Sequence, residues 1–358
     1  MLNNNHLRLS APLFVLAAVL AGCAQTKPAE TGRSYSFWPP APNEPRLQYL
    51  VGFENSADIA PPQSALDRVV YGKEGQEVLP ISKPYGVAMW QGRIYVADTK
   101  QQGIIVLDLR KRETRVLVGK NNEPMQNPTD ITIAPDGTKY VTDQARGAVF
   151  IFDASDKPVG TLVDKDFRPV AAAVHGNELA ICDTFAKNVR VINRQTGEVL
   201  RVIGSHGVAD GQFTHPISCA YDKQGYLYVS DAIRCRVQKF APDGTFHSRI
   251  GAISTNMGNF TRPKHLDVDA DGNVYVVDAA FQNIQIFNSS LQLLTFFGGS
   301  GGHTGAMYLP AGVTIHDGDL DLFQQYVHPA FEAQRLIVVT NQFNKNKVAV
   351  YALGQLKA

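Results

Sequence analysis

The acidic stretch DVDADGNVYVVD (267–278) carries side chains well suited to binding a cation. Asp267, Asp269 and Asp271 occupy positions 1, 3 and 5 of this stretch, and Asp278 occupies position 12. This is close to the spacing at which an EF-hand loop places its oxygen ligands around calcium. An EF-hand also needs a helix on each side, whereas both flanks here have the alternating pattern of β-strands. The elements that surround the stretch therefore decide its role.

The chain contains no motif for nucleophilic catalysis, phosphate binding or haem attachment. It has no G-x-S-x-G elbow and no C-x-x-C-H sequence, and its glycine-rich stretch GGSGGHTG (298–305) lacks the Lys-Ser/Thr ending of a phosphate-binding loop. The formal net charge of +1 argues against general binding of nucleic acid. We therefore expect no cofactor and no nucleic-acid partner.

One pattern recurs along the chain at intervals of about 41 to 47 residues. Each copy has a proline, a short apolar strand, a turn, a second strand ending in aspartate, a polar loop and a third apolar strand. Five copies are clear and a sixth is looser; they span residues 83–108, 127–153, 168–193, 215–240, 262–287 and 309–351. A period of this length with several strands per copy predicts the blades of a β-propeller.

The copies resemble the NHL repeat in their opening proline, their glycine-containing hairpin turn and third strands such as RVQKF (236–240) and NIQIF (283–287). The resemblance implies four antiparallel strands per blade. The sixth copy lacks a fourth strand, and RLQYLVGF (46–53) supplies a spare one at the other end of the chain. We therefore predict an all-β fold over residues 45–358, a six-bladed β-propeller closed by an N-terminal strand that completes the last blade.

Within this architecture the acidic stretch forms the first hairpin of the fifth blade. Asp271 and Gly272 make its turn, where glycine accommodates a positive φ. Asp278 ends the second strand, and the same position in other copies holds Asp98, Asp143, Asp183 and Asp231. We expect these aspartates to accept hydrogen bonds from the backbone of the following loop rather than to bind calcium.

Propellers that resemble amidating lyases or sugar lactonases hold a metal where the first strands begin at the central channel. At those positions only Asp130 and His265 have suitable side chains, and His215 lies nearby in the sequence. Zinc requires three or four ligands, and Lys264 would repel a cation beside His265. We predict no metal site, and a metal-dependent lyase or hydrolase at the channel stays open as the alternative function.

The loops before the first strands and after the second strands share one face of an NHL-like propeller, which we call the top face. We predict that it binds a partner through basic and aromatic side chains at Lys83, Arg146, Arg168, Lys187, Arg234, Arg262, Lys264, His265, Phe185, Phe281 and Phe343. Basic residues around exposed aromatic anchors suit an anionic partner. The alternative is a solvated face with the phenylalanines tucked between blades.

The first 22 residues have the features of a lipoprotein signal peptide. A positive charge at Arg8 precedes the short apolar run APLFVLAAVLA (11–21), and the ending Leu-Ala-Gly-Cys resembles a bacterial lipobox. The resemblance implies cleavage before Cys23, lipidation of its sulfur and anchoring in the outer membrane, facing the periplasm or the surface. Residues 23–44, rich in proline and small polar residues, are predicted to be an extended tether. An ordinary secretory signal is the alternative.

Three further cysteines, Cys182, Cys219 and Cys235, lie in the third and fourth copies. A Cys219–Cys235 disulfide is excluded because the second strand separates the first and third strands of one blade. We favour buried free thiols, and a bond from Cys182 to the fourth blade stays open.

The sixth copy contains a long insertion, DLDLFQQYVHPAFEAQ (319–334), between its first two strands. The spacing of Leu322, Phe323, Tyr326 and Val327 predicts a short amphipathic helix on the opposite, bottom face.

The sequence favours a membrane-anchored, non-catalytic binding or scaffold propeller of the bacterial cell envelope. The stretches SFWPPAPNEPRLQYLVGF (36–53) and LIVVTNQFNKNKVAVY (336–351) are similar to those of NHL lipoproteins from bacteria rich in multihaem cytochromes. This similarity implies an electron-transfer complex as a setting and an envelope protein with an anionic surface, such as a multihaem cytochrome, as partner. A polysaccharide-binding protein is a third hypothesis for the chain's function.

Overall fold

Each of the first five repeats folds into a four-stranded antiparallel sheet, as the recurring pattern of apolar strands predicts, and the sixth contributes three strands to its sheet. The computed structural model describes residues 34–61, 78–164, 166–343 and 345–357. Two strands precede the repeats, namely β1 (Phe37–Trp38) and β2 (Leu47–Phe53). The predicted signal peptide and Cys23 lie outside the described residues.

The first five blades are consecutive sheets of four strands each. Blade 1 comprises β3 (Pro84–Trp90), β4 (Arg93–Asp98), β5 (Gly103–Asp108) and β6 (Glu113–Leu117). Blade 2 comprises β7 (Pro128–Ile133), β8 (Lys139–Asp143), β9 (Ala148–Phe152) and β10 (Pro158–Val163). Blade 3 comprises β11 (Pro169–His175), β12 (Glu178–Asp183), β13 (Asn188–Asn193) and β14 (Val199–Ile203). Blade 4 comprises β15 (Pro216–Tyr221), β16 (Leu227–Asp231), β17 (Arg236–Phe240) and β18 (Phe246–Ile250). Blade 5 comprises β19 (Pro263–Val268), β20 (Val274–Asp278), β21 (Asn283–Phe287) and β22 (Leu293–Gly298).

The sixth blade joins the two ends of the repeat region, which confirms the predicted closure. Its strands β23 (Pro310–His316), β24 (Phe331–Asn341) and β25 (Val348–Leu356) are followed across the sheet by β2. Strand β2 pairs with β25 in antiparallel register, with Leu47 opposite Leu353 and Tyr49 opposite Tyr351. This pairing completes the sixth four-stranded blade with a strand from the other end of the chain.

The compact unit begins at Tyr35, inside the segment 23–44 that we interpreted as a tether. Strand β1 adds a fifth strand to blade 6 by pairing with β2. The ring of Trp38 lies 5.9 Å from that of Tyr351 and 6.3 Å from that of Phe297. Burial of these aromatic rings explains why a proline-rich segment joins the sheet there.

The core lies between neighbouring blades and is densest at the second and third strands. Strands β8, β16 and β20 are buried along their whole length, because each blade packs against another on both faces. The fully buried rings of Tyr95, Tyr228 and Tyr275 fill these layers. The fourth strands are exposed in part, as in β10 and β14.

The described residues also include three short 3-10 helices, at Ser56–Asp58, Lys120–Asn122 and Leu320–Tyr326. The last is the helix predicted in the insertion, and it packs under blade 6 with Phe323 and Val327 buried in the core. Strand β24 begins at Phe331, so the insertion ends earlier than the sequence suggested. In the parts of the chain that the structure describes, none of the helices could cross a lipid bilayer.

Candidate functional site

The aspartates that end the second strands organise the top-face loops. Asp278 accepts hydrogen bonds from the backbone N–H groups of Thr261 (2.7 Å) and Arg262 (3.2 Å), which precede β19. It also accepts from Ala280 (3.0 Å) and Phe281 (3.2 Å), which follow β20. The capping that we predicted is confirmed, and it extends to the loop on the other side as well. Each such carboxylate therefore fixes two loops of the top face at once.

Equivalent contacts recur around the ring, which shows that capping is a property of the repeat. Asp98 accepts from the N–H groups of Ser82, Lys83, Lys100 and Gln101 at 2.7–3.1 Å. The corresponding aspartates of blades 2, 3 and 4 are fully buried and bond in the same way. Blade 6 uses Asn341, whose Oδ1 accepts from Tyr308 N–H at 3.0 Å.

The acids of the stretch 267–278 serve separate structural roles. Asp267 Oδ2 accepts from Ile315 N–H at 2.7 Å, and Asp269 Oδ1 accepts from Asn273 N–H at 2.9 Å in the hairpin turn. Asp278 bonds to the top-face loops, at the other end of its strand. Asp269 and Asp271 also share an ion pair with Arg335, a cation in the place where a calcium ion would lie, so the spacing that resembles a calcium loop arises from a blade hairpin.

Asp130 and His265, which the sequence places in opposite blades, contact each other across the central channel. His265 Nε2 lies 3.0 Å from Asp130 Oδ1, and His265 Nδ1 lies 3.1 Å from the carbonyl oxygen of Val313. Because a carbonyl only accepts, Nδ1 carries a proton. Asp130 Oδ2 in turn accepts from Ala172 N–H at 3.2 Å. The two residues that the sequence singled out at the channel are thus in direct contact.

Two opposing effects act on the pKa of His265 in this pair. Burial alone lowers the pKa of His265, but the charge and hydrogen bond of Asp130 outweigh it, so the pKa is raised above its ordinary value. The raised pKa favours the imidazolium form, in which Nε2 donates to the carboxylate. Burial raises the pKa of the neighbouring Asp267. Within the described residues no group of three or more His, Cys, Asp or Glu side chains has the arrangement of a metal site.

The His265 side chain separates two cavities in the channel. The upper cavity has a volume of about 380 Å³ and opens on the top face, whereas the lower one has a volume of about 250 Å³. His265 contributes to both cavities, and its side chain keeps 15% of its exposure. His215 lines the upper cavity, and burial followed by the charge of Lys187 lowers its pKa.

The structure places the predicted partner-binding residues in different environments. Lys83, Arg262, Lys264 and His265 line the upper cavity. Arg168 and Phe185 lie together in a groove of about 410 Å³ between blades 2 and 3. Arg234 lines a separate groove with Val208 and Ile253.

Three of the predicted cations are engaged within the chain. Arg168 Nη1 donates to the carbonyl oxygen of Phe167 at 2.8 Å. Arg146 pairs with Glu123 Oε1 at 2.5 Å and donates to the Pro124 carbonyl oxygen at 2.8 Å. Lys187 donates to the carbonyl oxygen of Thr184. Arg146 and Lys187 are also half-buried, so they are less available to a partner than their sequence position suggests, whereas Arg168 stays exposed.

The three phenylalanines of the top face differ in exposure. Phe185 and Phe343 are 61% and 64% exposed, whereas Phe281 is half-buried. Two of the predicted aromatic anchors are thus clearly accessible, and the third is only partly so.

The three cysteines of the propeller are buried free thiols in the structure. Burial, followed by the proximity of Cys219, raises the pKa of Cys182 well above its ordinary value. Both thiols belong to the apolar layer between blades 3 and 4.

Comparison with solved structures relates the chain to other propellers. A structural genomics protein from Bacteroides thetaiotaomicron has a TM-score of 0.59 at 16% identity, over 76% of this chain and 70% of its own. A streptogramin B lyase has a TM-score of 0.53 at 13% identity, over 78% and 85%. A gluconolactonase from Xanthomonas campestris has a TM-score of 0.53 at 16% identity, over 76% and 86%. At these identities the similarity shows the fold alone.

Sequence comparison finds similarity over a shorter part of the chain. A segment of 111 residues is 30% identical to the E3 ubiquitin-protein ligase TRIM71 of Gallus gallus, covering 29% of this chain and 13% of the ligase. The Bos taurus ligase matches to the same extent. No protein-family profile matches the chain. The repeats are NHL-like, since five of them carry the opening proline, the glycine-containing hairpin turn and a second strand that ends in aspartate.

Proposed function

We propose that this chain is an NHL-repeat lipoprotein whose propeller binds an anionic protein partner through its top face. The observation that carries the proposal is the set of exposed cationic side chains on that face. Lys83, Arg168, Arg234 and Arg262 are exposed, and they form no ion pair with any carboxylate that the structure describes. Their charges are therefore available to a partner.

The strand-ending carboxylates of the same face are engaged within their own blades. These aspartates are buried and accept hydrogen bonds from backbone N–H groups, as Asp98 and Asp278 illustrate, and Asp183 also pairs with Arg190 Nη2 at 3.0 Å. Glu123 is occupied by Arg146. A chain with a formal net charge of only +1 thus presents a cationic face, which favours association with an acidic surface.

Exposed aromatic side chains supply the apolar anchors that a protein interface needs. Phe185 lies beside Arg168 in the groove between blades 2 and 3, and the exposed Phe343 follows the second strand of blade 6. Aromatic and arginine side chains carry a large share of the binding energy in protein interfaces. The groove therefore supports a protein partner in preference to a purely ionic ligand.

The membrane setting follows from the N-terminal sequence. Lipidation of Cys23 would hold the propeller at the outer membrane of the bacterial cell envelope, on a linker that ends where the sheet begins near Tyr35. There it would act as a non-catalytic scaffold. The similarity to lipoproteins of cytochrome-rich bacteria supports a multihaem cytochrome, within an electron-transfer complex, as the partner.

The test is capture of the tagged, lipidated protein from its own membranes after mild cross-linking. The triple variant Arg168→Glu, Arg234→Glu, Arg262→Glu should lose the stoichiometric partner that the wild type captures. The matched control, Lys111→Glu, Lys157→Glu, Lys223→Glu, makes the same charge change at exposed positions of bottom-face turns and should retain it. Equal capture by both triple variants would overturn the proposal.

A further inference from the structure

The upper cavity of the channel lies deeper than the exposed loops of the top face and has its own set of lining side chains. Its walls carry the cationic side chains of Lys83, Arg262 and Lys264 and the neutral polar groups of Thr129 and Gln144. None of the described residues that line it is an aspartate or glutamate. The cavity is thus cationic without an internal counter-charge.

Lys264 is the most buried of these cations. Only 7% of the residue is exposed, and no described carboxylate forms an ion pair with it. Its ammonium lies 4.8 Å from the centre of the Tyr85 ring, a cation–π contact across the channel. Buried lysines are ordinarily paired with an opposite charge, because an unpaired ammonium loses its hydration without compensation.

The surroundings of Lys264 make its unpaired charge still less favourable. Burial, together with the charges of Arg262 and Lys83, lowers the pKa of Lys264 although the Tyr85 contact acts in the opposite direction. The nearest histidine, His265, is already committed to Asp130 and the Val313 carbonyl oxygen. A negative group that entered the cavity would find an ammonium with no competing counter-ion.

We infer that the upper cavity binds a carboxylate group with Lys264 as its counter-ion. The apolar wall segments at Val170, Ile217 and Ala311 suit an aliphatic stem behind the carboxylate, which a bare inorganic anion lacks. A volume of about 380 Å³ accommodates a short aliphatic acid or a single acidic side chain.

Two sources could supply this group, a free aliphatic carboxylic acid or an acidic side chain of a docked protein. The second source rests on the proposed function, because the top-face loops would then hold the partner while the cavity binds one acidic side chain of that partner. The first source is independent of that function.

The experiment measures binding of glutarate to the purified full-length lipoprotein in detergent by titration calorimetry. Lys264→Met keeps an unbranched chain of similar length and removes the charge, and Arg168→Met makes a comparable change outside the cavity. Wild type and Arg168→Met should bind glutarate with similar affinity, and Lys264→Met should bind at least about tenfold more weakly. Glutaramide, which is similar in shape but uncharged, should not bind.

Absence of glutarate binding to the wild type would overturn the inference, as would an unchanged affinity in Lys264→Met. Thermal unfolding of both variants establishes that they are folded. Partner capture with Lys264→Met then separates the sources: reduced capture identifies a side chain of the partner, and full capture identifies a free acid. If a variant with Arg168→Glu and Arg234→Glu, both outside the cavity, captures the partner normally while the wild type binds glutarate, the proposed function fails and the cavity inference stands.

Discussion

His265 Nε2 lies 3.0 Å from Asp130 Oδ1, although 135 positions separate the two residues in the chain. The contact spans the central channel between blades 2 and 5 and divides it into an upper and a lower cavity. It ties two non-adjacent blades together inside the ring. The upper cavity consequently has a polar floor at His265, and a ligand that enters from the top face stops there.

The His265–Asp130 pair predicts a pH-dependent contribution to stability. The pKa of His265 is raised in the folded protein, so the pair stabilises fully below the ordinary histidine value of about 6.5 and loses this effect as pH rises through the raised value. Asp130→Asn should therefore lower the free energy of unfolding by about 3 kcal/mol near pH 5.5 and by clearly less near pH 9.

Urea unfolding of wild type and Asp130→Asn at the two pH values measures this difference. Asp271→Asn, which removes an exposed ion pair with Arg335 in the blade 5 hairpin, is the control and should show little change at either pH. An effect of Asp130→Asn that is equal at both pH values would contradict the assignment of an imidazolium to His265.

The capping aspartates predict a large cost for a single truncation. Asp278→Ala removes the acceptor of four backbone N–H groups and leaves them in a largely buried site, so it should destabilise by about 3 kcal/mol or more. Glu332→Ala, at an exposed position of β24, should change stability by less than about 0.5 kcal/mol. Similar chemical denaturation midpoints for the two variants would show that the cap is energetically unimportant.

Closure of the ring by β2 predicts that an N-terminal residue belongs to the core of the last blade. Leu47 is fully buried, so Leu47→Ala should cost about 3 kcal/mol. Leu356→Ala makes the same change on the paired strand β25, three residues beyond the Leu353 partner of Leu47, where the side chain is exposed, and should cost below about 1 kcal/mol. Equal melting temperatures would indicate that β2 is only loosely attached.

Much of the fold is predictable because each blade repeats the same local requirements. The opening proline, the hairpin glycine and the terminal aspartate mark strand ends in the sequence, and the missing fourth strand of the sixth copy identifies 46–53 as its partner. The pairing of Leu47 with Leu353 follows from this count. Strand β1 was missed because the prolines around Phe37 and Trp38 favour an extended linker, and only the rings of blades 5 and 6 provide the burial that orders them.

The candidate site is less accessible to sequence reasoning, since it depends on distances across the ring. Asp130 and His265 could be recognised as polar residues at equivalent positions, but their contact depends on how narrow the channel is. Lys264 and Arg146 were both predicted to be cations of the top face. In the structure Lys264 is buried without a carboxylate partner among the described residues, whereas Arg146 pairs with Glu123. Such differences arise from neighbouring blades and leave no local signal.

The most direct test of the account is site-specific photo-cross-linking in native membranes. A photoreactive amino acid at position 185 samples the top face, and the same amino acid at position 271 samples the bottom-face hairpin of blade 5. We predict a discrete cross-linked protein partner from position 185 that disappears at high salt, and none from position 271. A partner captured from position 271 alone would contradict the claim that the top face binds it.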